Sequence, residues 1–129
     1  MLIEKYFRLL QKTIDSYAIV QSFNVNFDKR GTYEGFIGGE IYFVDGSVLH
    51  IREFVDVEIM IDRLMYAYHY LDSSKMLMFR YDDTGHHKEL NLLTFPHPKH
   101  DGSEDNIISS PAPDLQAVLD EIETAIKLL

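Results

Sequence analysis

The side chains best suited to chemistry are concentrated between Arg80 and His100. This segment holds four of the six histidines in the 129-residue chain, together with an arginine and two adjacent aspartates. Imidazoles can accept a proton and donate one to a leaving oxygen, and a guanidinium can stabilise negative charge on a phosphorus centre. The residues concerned are Arg80, Asp82, Asp83, His86, His87, His97 and His100. This set predicts phosphodiester cleavage without a cofactor.

Two charged residues on predicted strands belong to the same candidate site. In the strand that ends at Val55, Glu53 alternates onto the face of Leu49 and Ile51, among apolar side chains. A carboxylate on such a face has a raised pKa or a cationic partner, unless it lies in water at the edge of the sheet. Arg80 shares one face of its own strand with Met76 and Met78. An arginine on such a face pairs with an acid or faces a ligand, and we expect it to pair with Glu53. The predicted catalytic residues, grouped around one pocket, are Glu53, Arg80, Asp82, His86 and His97.

Neighbouring polar side chains are predicted to bind the substrate. His86 and His87 are adjacent, so in an extended chain they point to opposite faces, and only His86 is assigned to proton transfer. Tyr68 lies in a tyrosine-rich strand and offers a hydroxyl to a phosphate. The predicted substrate-binding residues are Tyr68, His87, Lys99 and His100.

A metal site is the main chemical alternative. His97 and His100 have the spacing His-x-x-His, and Asp82 or His86 would complete a set of nitrogen and oxygen ligands. That spacing is weak evidence by itself, and a proline lies between the two histidines. The metal-free site is therefore preferred, and no cofactor is expected.

The composition excludes several other classes of protein. With no cysteine, the chain has no disulfide framework, thiolate nucleophile or cysteine-based zinc site. No apolar stretch approaches the roughly 20 residues that span a bilayer, and the N-terminus does not resemble a signal peptide, so we expect a cytoplasmic protein. The net charge of -9 argues against a general nucleic-acid coat. Residues 101–129 carry seven acids and one base, so an anionic ligand is expected at residues 80–100 instead.

The apolar periodicity predicts one α+β domain over residues 1–129. Amphipathic helices are predicted at residues 1–16 and 114–129, the second with Asp114 as N-cap. Residues 17–81 are read as an antiparallel meander of about five strands, with a hairpin turn at Asp45-Gly46. Both helices are expected to pack on one face of the sheet. Residues 82–111 break the periodicity and are predicted to form a long loop with one short strand at residues 89–95.

Several short motifs, taken in order, resemble a known family. They are Asp45-Gly46-Ser47, Arg52-Glu53, Tyr68-His69-Tyr70, Phe79-Arg80-Tyr81-Asp82, His86-His87, the run from Thr94 to His100, and Asp114-Leu115. Over residues 34–126 the chain is similar to the TumE-like toxins of prokaryotic toxin-antitoxin pairs, long described only as a domain of unknown function. The family usually has asparagine in place of Asp83 and histidine in place of Pro98, so neither position is expected to be indispensable.

The resemblance implies a toxin encoded beside a small helix-turn-helix DNA-binding antitoxin, which neutralises it and represses the operon. The leading hypothesis is a metal-independent ribonuclease in which His86 and His97 share the acid and base roles and Arg80 holds the phosphate. A non-catalytic toxin or binding module that acts through a partner or nucleotide is the first alternative. A His-coordinated metal-dependent hydrolase is the second. The expected partners are the antitoxin and an RNA substrate, with no membrane, and a homodimer is left open.

Overall fold

The computed structural model describes residues 1–83 and 113–128 and the backbone of residues 99–101 and 107–108. The helices are α1 (Ile3–Asp15) and α2 (Leu115–Lys127). The strands are β1 (Val20–Lys29), β2 (Glu34–Phe43), β3 (Val48–Asp56), β4 (Asp62–Leu71), β5 (Leu77–Asp82), β6 (Lys99–Asp101) and β7 (Ile107–Ile108). Neighbouring strands are antiparallel and follow the order of the chain from β1 to β7 in one sheet. The α+β fold with a five-stranded meander is confirmed as β1–β5.

The strands β6 and β7 extend the sheet and lie within the segment predicted to be a loop. β6 pairs with β5, so that His100 is the Cα partner of Arg80 and Lys99 that of Tyr81. Strands of three and two residues are too short to show a period of two, and pairing with a neighbour is what creates them. The short strand predicted at residues 89–95 lies outside the described residues.

Each helix buries one apolar stripe. In α1 the buried residues recur every three or four positions, as an amphipathic helix requires; they are Ile3, Tyr6, Phe7, Leu10 and Ile14. In α2 they are Leu115, Val118, Leu119 and Ile122. Asp114 caps α2, because its Oδ1 accepts the backbone N–H of Ala117 at 2.8 Å. Neither helix in the described part of the chain is long and apolar enough to cross a membrane.

Tight turns fix the register of the meander. The β2–β3 hairpin turns at Asp45-Gly46, where Gly46 has φ +87° and donates its N–H to the Phe43 carbonyl at 3.0 Å. Asp45 accepts the Ser47 N–H at 3.0 Å. The β4–β5 turn is held by Asp72, whose carboxylate accepts the N–H groups of Ser74 and Met76 at 2.8 and 3.0 Å. Short polar side chains that bind nearby backbone are typical of such turns.

The sheet has one face covered by both helices and one face that no described helix covers. We call them the helix face and the open face. The helix face carries the core and includes Ile37, Ile41, Leu49, Ile51, Glu53, Val55, Tyr66, Tyr68, Tyr70, Phe79 and Tyr81. The open face includes Phe36, Gly38, Glu40, His50, Arg52, Phe54, Met65, Ala67, His69, Arg80 and Asp82. The prediction that both helices pack on one face is confirmed.

Candidate functional site

Glu53 and Arg80 lie on opposite faces of the sheet, so the expectation that they share a pocket and pair is wrong. The Cα partner of Glu53 is Tyr66, on the helix face, whereas that of Arg80 is His69, on the open face. Alternation within each strand was predicted correctly. The face that Arg80 shares with Met78 is the open face and not the core, since Met78 is exposed. Alternation alone does not say which face of a strand faces the core.

Glu53 is held in a buried polar network on the helix face. Glu53 is 1% exposed, and its carboxylate accepts hydrogen bonds from the hydroxyls of Tyr6 in α1 and Tyr68 in β4, the latter at 2.6 Å. Burial raises the pKa of the Glu53 carboxyl, while the two tyrosine hydrogen bonds and the Arg63 guanidinium oppose part of that rise. Burial and the Glu53 carboxylate also raise the pKa values of Tyr6 and Tyr68. The network joins α1 to the sheet.

Arg63 is the cation that the sequence analysis missed. It donates to the Tyr68 hydroxyl at 3.2 Å and to the Pro113 carbonyl just before α2. Its Cζ lies 4.3 Å from the centre of the Tyr66 ring. The position of Glu53 on an apolar face indicates in the sequence that a cation lies nearby. Which arginine that is depends on the strand register, and this register brings Arg63 and not Arg80 to the helix face. The predicted role of Tyr68 in substrate binding has no support here, because Tyr68 is buried against Glu53.

A cavity of about 490 Å³ opens on the other face, across β3, β4 and β5. Its described lining combines cationic, polar and apolar residues of the open face, and Tyr66 of the helix face also borders it. The open-face residues are His50, Arg52, Met65, Ala67, His69, Arg80 and Asp82. Arg80 Nε donates to Asp82 Oδ2 at 2.8 Å, with the Arg80 side chain 25% exposed and that of Asp82 fully buried. Because the guanidinium is planar, a buried carboxylate that binds one edge of it fixes the orientation of the whole group. Two of the predicted catalytic residues, Arg80 and Asp82, are thus together at this cavity.

Two further histidines line the same cavity. His50 of β3 and His69 of β4 are Cα partners, and their ring centres are 6.0 Å apart. Glu40 of β2 places Oε1 3.8 Å from His50 Nδ1, and Arg80 is the β5 partner of His69. Glu40, His50, His69 and Arg80 therefore form one cross-strand row on the open face. Alternation along β3 is enough to put His50 on the face opposite Glu53, but the row as a whole depends on the strand register.

The structure describes only some of the remaining predicted site residues. His86, His87 and His97 lie outside the described residues. For Lys99 and His100 the backbone alone is described, next to Tyr81 and Arg80. Within the described residues no group of three or more histidine, aspartate or glutamate side chains could hold a metal ion. The His97–His100 alternative includes residues beyond that search.

These features define a class of small α+β protein, in which a helix-covered meander sheet carries a cavity lined by histidine and arginine on its open face. The chain belongs to the toxin TumE family, because the family model described as Toxin TumE matches residues 7–127. The resemblance seen in the sequence is thereby confirmed, and membership of a toxin family suggests, in general, an antitoxin partner. Comparison with curated proteins and with solved structures gave no significant match.

Proposed function

We propose that this chain is the toxin of a toxin-antitoxin pair and a metal-independent ribonuclease whose active site is the open-face cavity. The observation that carries the proposal is the row of His50, His69 and Arg80 across three neighbouring strands, with Asp82 holding Arg80. Imidazole and guanidinium are the groups that phosphodiester cleavage needs when no metal is used. A rigid sheet also holds them in a fixed mutual geometry.

In this proposal the RNA supplies its own nucleophile. A histidine removes the proton of the 2′-hydroxyl, the 2′-oxygen forms a bond to phosphorus, and the bond from phosphorus to the 5′-oxygen breaks. A second histidine, present as the imidazolium, protonates that leaving oxygen, giving a 2′,3′-cyclic phosphate and a 5′-hydroxyl end. Arg80, oriented by Asp82, binds the phosphate oxygens as charge develops on them.

The proton-transfer groups are assigned from two sources. His69 is proposed because it is the neighbour of Arg80 in the cavity. His86 and His97 are proposed on the sequence argument alone. Glu53 is not included, because it is buried on the opposite face and bound by two tyrosines.

The partner is proposed to be a small helix-turn-helix DNA-binding antitoxin. Such proteins are basic where they contact phosphate, and a chain with net charge -9 offers them a complementary surface. α2 carries three acids, of which Asp120 is exposed and Glu121 and Glu123 are half-buried, and this makes the helix a candidate contact.

The test uses purified protein without a histidine tag and single-stranded RNA in the presence of EDTA. We expect cleavage that leaves 2′,3′-cyclic phosphate ends. Arg80→Gln and His69→Gln should each lower the rate by about 10²- to 10⁴-fold, because each removes a group that acts on the reacting phosphate. Arg8→Gln is the matched control, since Arg8 is an exposed arginine on α1.

Three other outcomes would change the assignment. Activity lost in EDTA and restored by zinc or manganese would favour the metal-dependent hydrolase. Intact RNA together with toxicity in cells would favour a non-catalytic toxin. Cleavage that survives both substitutions would move the active site away from this cavity.

A further inference from the structure

A pair of phenylalanines lies on the open face beside the cavity. Phe36 of β2 and Phe54 of β3 are Cα partners, and both are half-buried although no described helix covers this face. Arg30 and Arg52 approach the Phe36 ring, with Cζ 5.8 and 6.0 Å from its centre. A sheet face turned to solvent normally carries polar side chains. Aromatic rings with adjacent arginines are the composition of a surface that stacks bases and contacts phosphates.

Arg52 connects this pair to the cavity. It belongs to the cavity lining, and its side chain is exposed. Arg30 forms an ion pair with Asp28 at 2.7 Å, whereas Arg52 forms no ion pair within the described part of the chain. The charge of Arg52 is therefore not neutralised by a described carboxylate. Gly38, the β2 partner of Arg52, adds no side chain between the Phe36 ring and the cavity.

We propose that Phe36, Phe54 and Arg52 bind the single-stranded RNA that enters the cavity, an inference that rests on the proposed ribonuclease function. The phenylalanine rings stack on a base, and Arg52 contacts a neighbouring phosphate. Phe54 and Arg80 are two strands apart and four residues apart along the sheet, or about 16 Å. The stacked nucleotide is thus not the one that is cleaved, and these residues contribute binding and positioning.

Binding is measured by fluorescence anisotropy with a 2′-O-methyl oligonucleotide, which cannot provide the attacking hydroxyl. Phe36→Leu and Phe54→Leu keep an apolar side chain for folding and remove the flat ring. Each is expected to weaken binding about fivefold or more. Arg52→Gln should also reduce the slope of log affinity against log salt concentration by about 0.7, the value for one phosphate contact on a single strand. The matched controls are Tyr33→Ala and Arg8→Gln, which alter exposed side chains outside this face.

Steady-state cleavage separates this inference from the function on which it rests. The three variants should raise KM more than they lower kcat, whereas Arg80→Gln lowers kcat. If RNA is cleaved through Arg80 but the three variants bind and cleave as the unaltered chain does, the RNA-binding surface is wrong and the proposed function stands. If no RNA is bound or cleaved, both fail. Weaker capture of the antitoxin by these variants, with unchanged RNA binding, would make the surface a protein interface and overturn the inference.

Discussion

At the scale of single residues, Glu53 and Asp82 are two buried carboxylates with different partners. Glu53 accepts hydrogen bonds from two neutral hydroxyls, and Asp82 accepts from the charged guanidinium of Arg80. A charged donor offsets more of the cost of burying a carboxylate than a neutral one does. Asp82 is therefore suited to orient Arg80, whereas Glu53 holds α1 against the sheet through Tyr6.

The raised pKa of Glu53 predicts a specific pH dependence of stability. Because the folded state holds the Glu53 proton more tightly than the unfolded state, the contribution of this group is fully present below the unfolded value of 4.5 and is lost as pH rises through the raised folded value. Glu53→Gln removes that titration. The free energy of unfolding of the variant relative to the unaltered chain should therefore increase from about pH 4.5 upward, by about 1.4 kcal/mol for each unit of raised pKa.

Urea unfolding at a series of pH values measures this difference. Glu58→Gln is the matched control, because it removes an exposed carboxylate. A difference that shrinks as pH rises would contradict the prediction. It would mean that the two tyrosine hydroxyls and Arg63 outweigh the cost of burial.

The candidate site was predictable from the sequence only in part. Arg80 and Asp82 stand two positions apart on one strand, and alternation is enough to bring them to one face. His69 and His50 belong to other strands, and their approach to Arg80 depends on strand register, which the turns and the buried core set together. Strand register also decides the partners of Glu53. The sequence pattern predicts Arg80, whereas in the fold the neighbours of Glu53 are Tyr6, Tyr68 and Arg63.

At the scale of elements, the β1–β2 pair depends on a residue without a side chain. Gly39 has φ +154°, and a Cβ at this position would lie 2.1 Å from the backbone oxygen of Asn24 on β1. A contact that short with backbone requires the two strands to separate. Gly39→Ala should therefore lower the free energy of unfolding by more than about 1 kcal/mol.

Gly31→Ala is the matched control for this substitution. Gly31 lies in the turn that precedes β2, and the nearest atom to an added Cβ is the Glu34 Cβ at 3.9 Å, an ordinary contact. Its effect should stay within about 0.5 kcal/mol. Urea unfolding curves of the two variants provide the comparison, and equal destabilisation would remove the argument from the Gly39 contact.

The helices and strands were easier to predict than the pairing and contacts between them. Long amphipathic stretches and the Asp45-Gly46 turn carry local signals, so α1, α2 and β1–β5 follow from periodicity and turn chemistry. The strands β6 and β7 arise from pairing at the β5 edge and have no periodicity of their own. Gly39 gives no local sign of its close contact, because only the β1–β2 register brings Asn24 beside it.

At the scale of the whole molecule, charge favours selective over general binding of RNA. The net charge of -9 repels phosphate at long range. The arginines and histidines of the open face attract phosphate locally, within a few ångströms of the cavity. If the proposed function is correct, an RNA strand should therefore bind at this site and not along the whole surface, and the proposed basic antitoxin should be attracted to the rest.

This separation of surfaces leads to a prediction about toxicity and its neutralisation. Expression of the chain alone should slow growth, and co-expression of a small regulator encoded beside it should restore growth. Arg80→Gln, His86→Ala and His97→Ala should each abolish toxicity, since loss of one catalytic group costs about 10²- to 10⁴-fold in rate. The same variants should still capture the regulator, because an interface of many residues survives one substitution outside its hot spots. Growth after induction, with a pull-down of the regulator and Arg8→Gln as control, measures both effects. A chain that never slows growth would remove the toxin assignment, whereas variants that stay toxic would remove only the catalytic one.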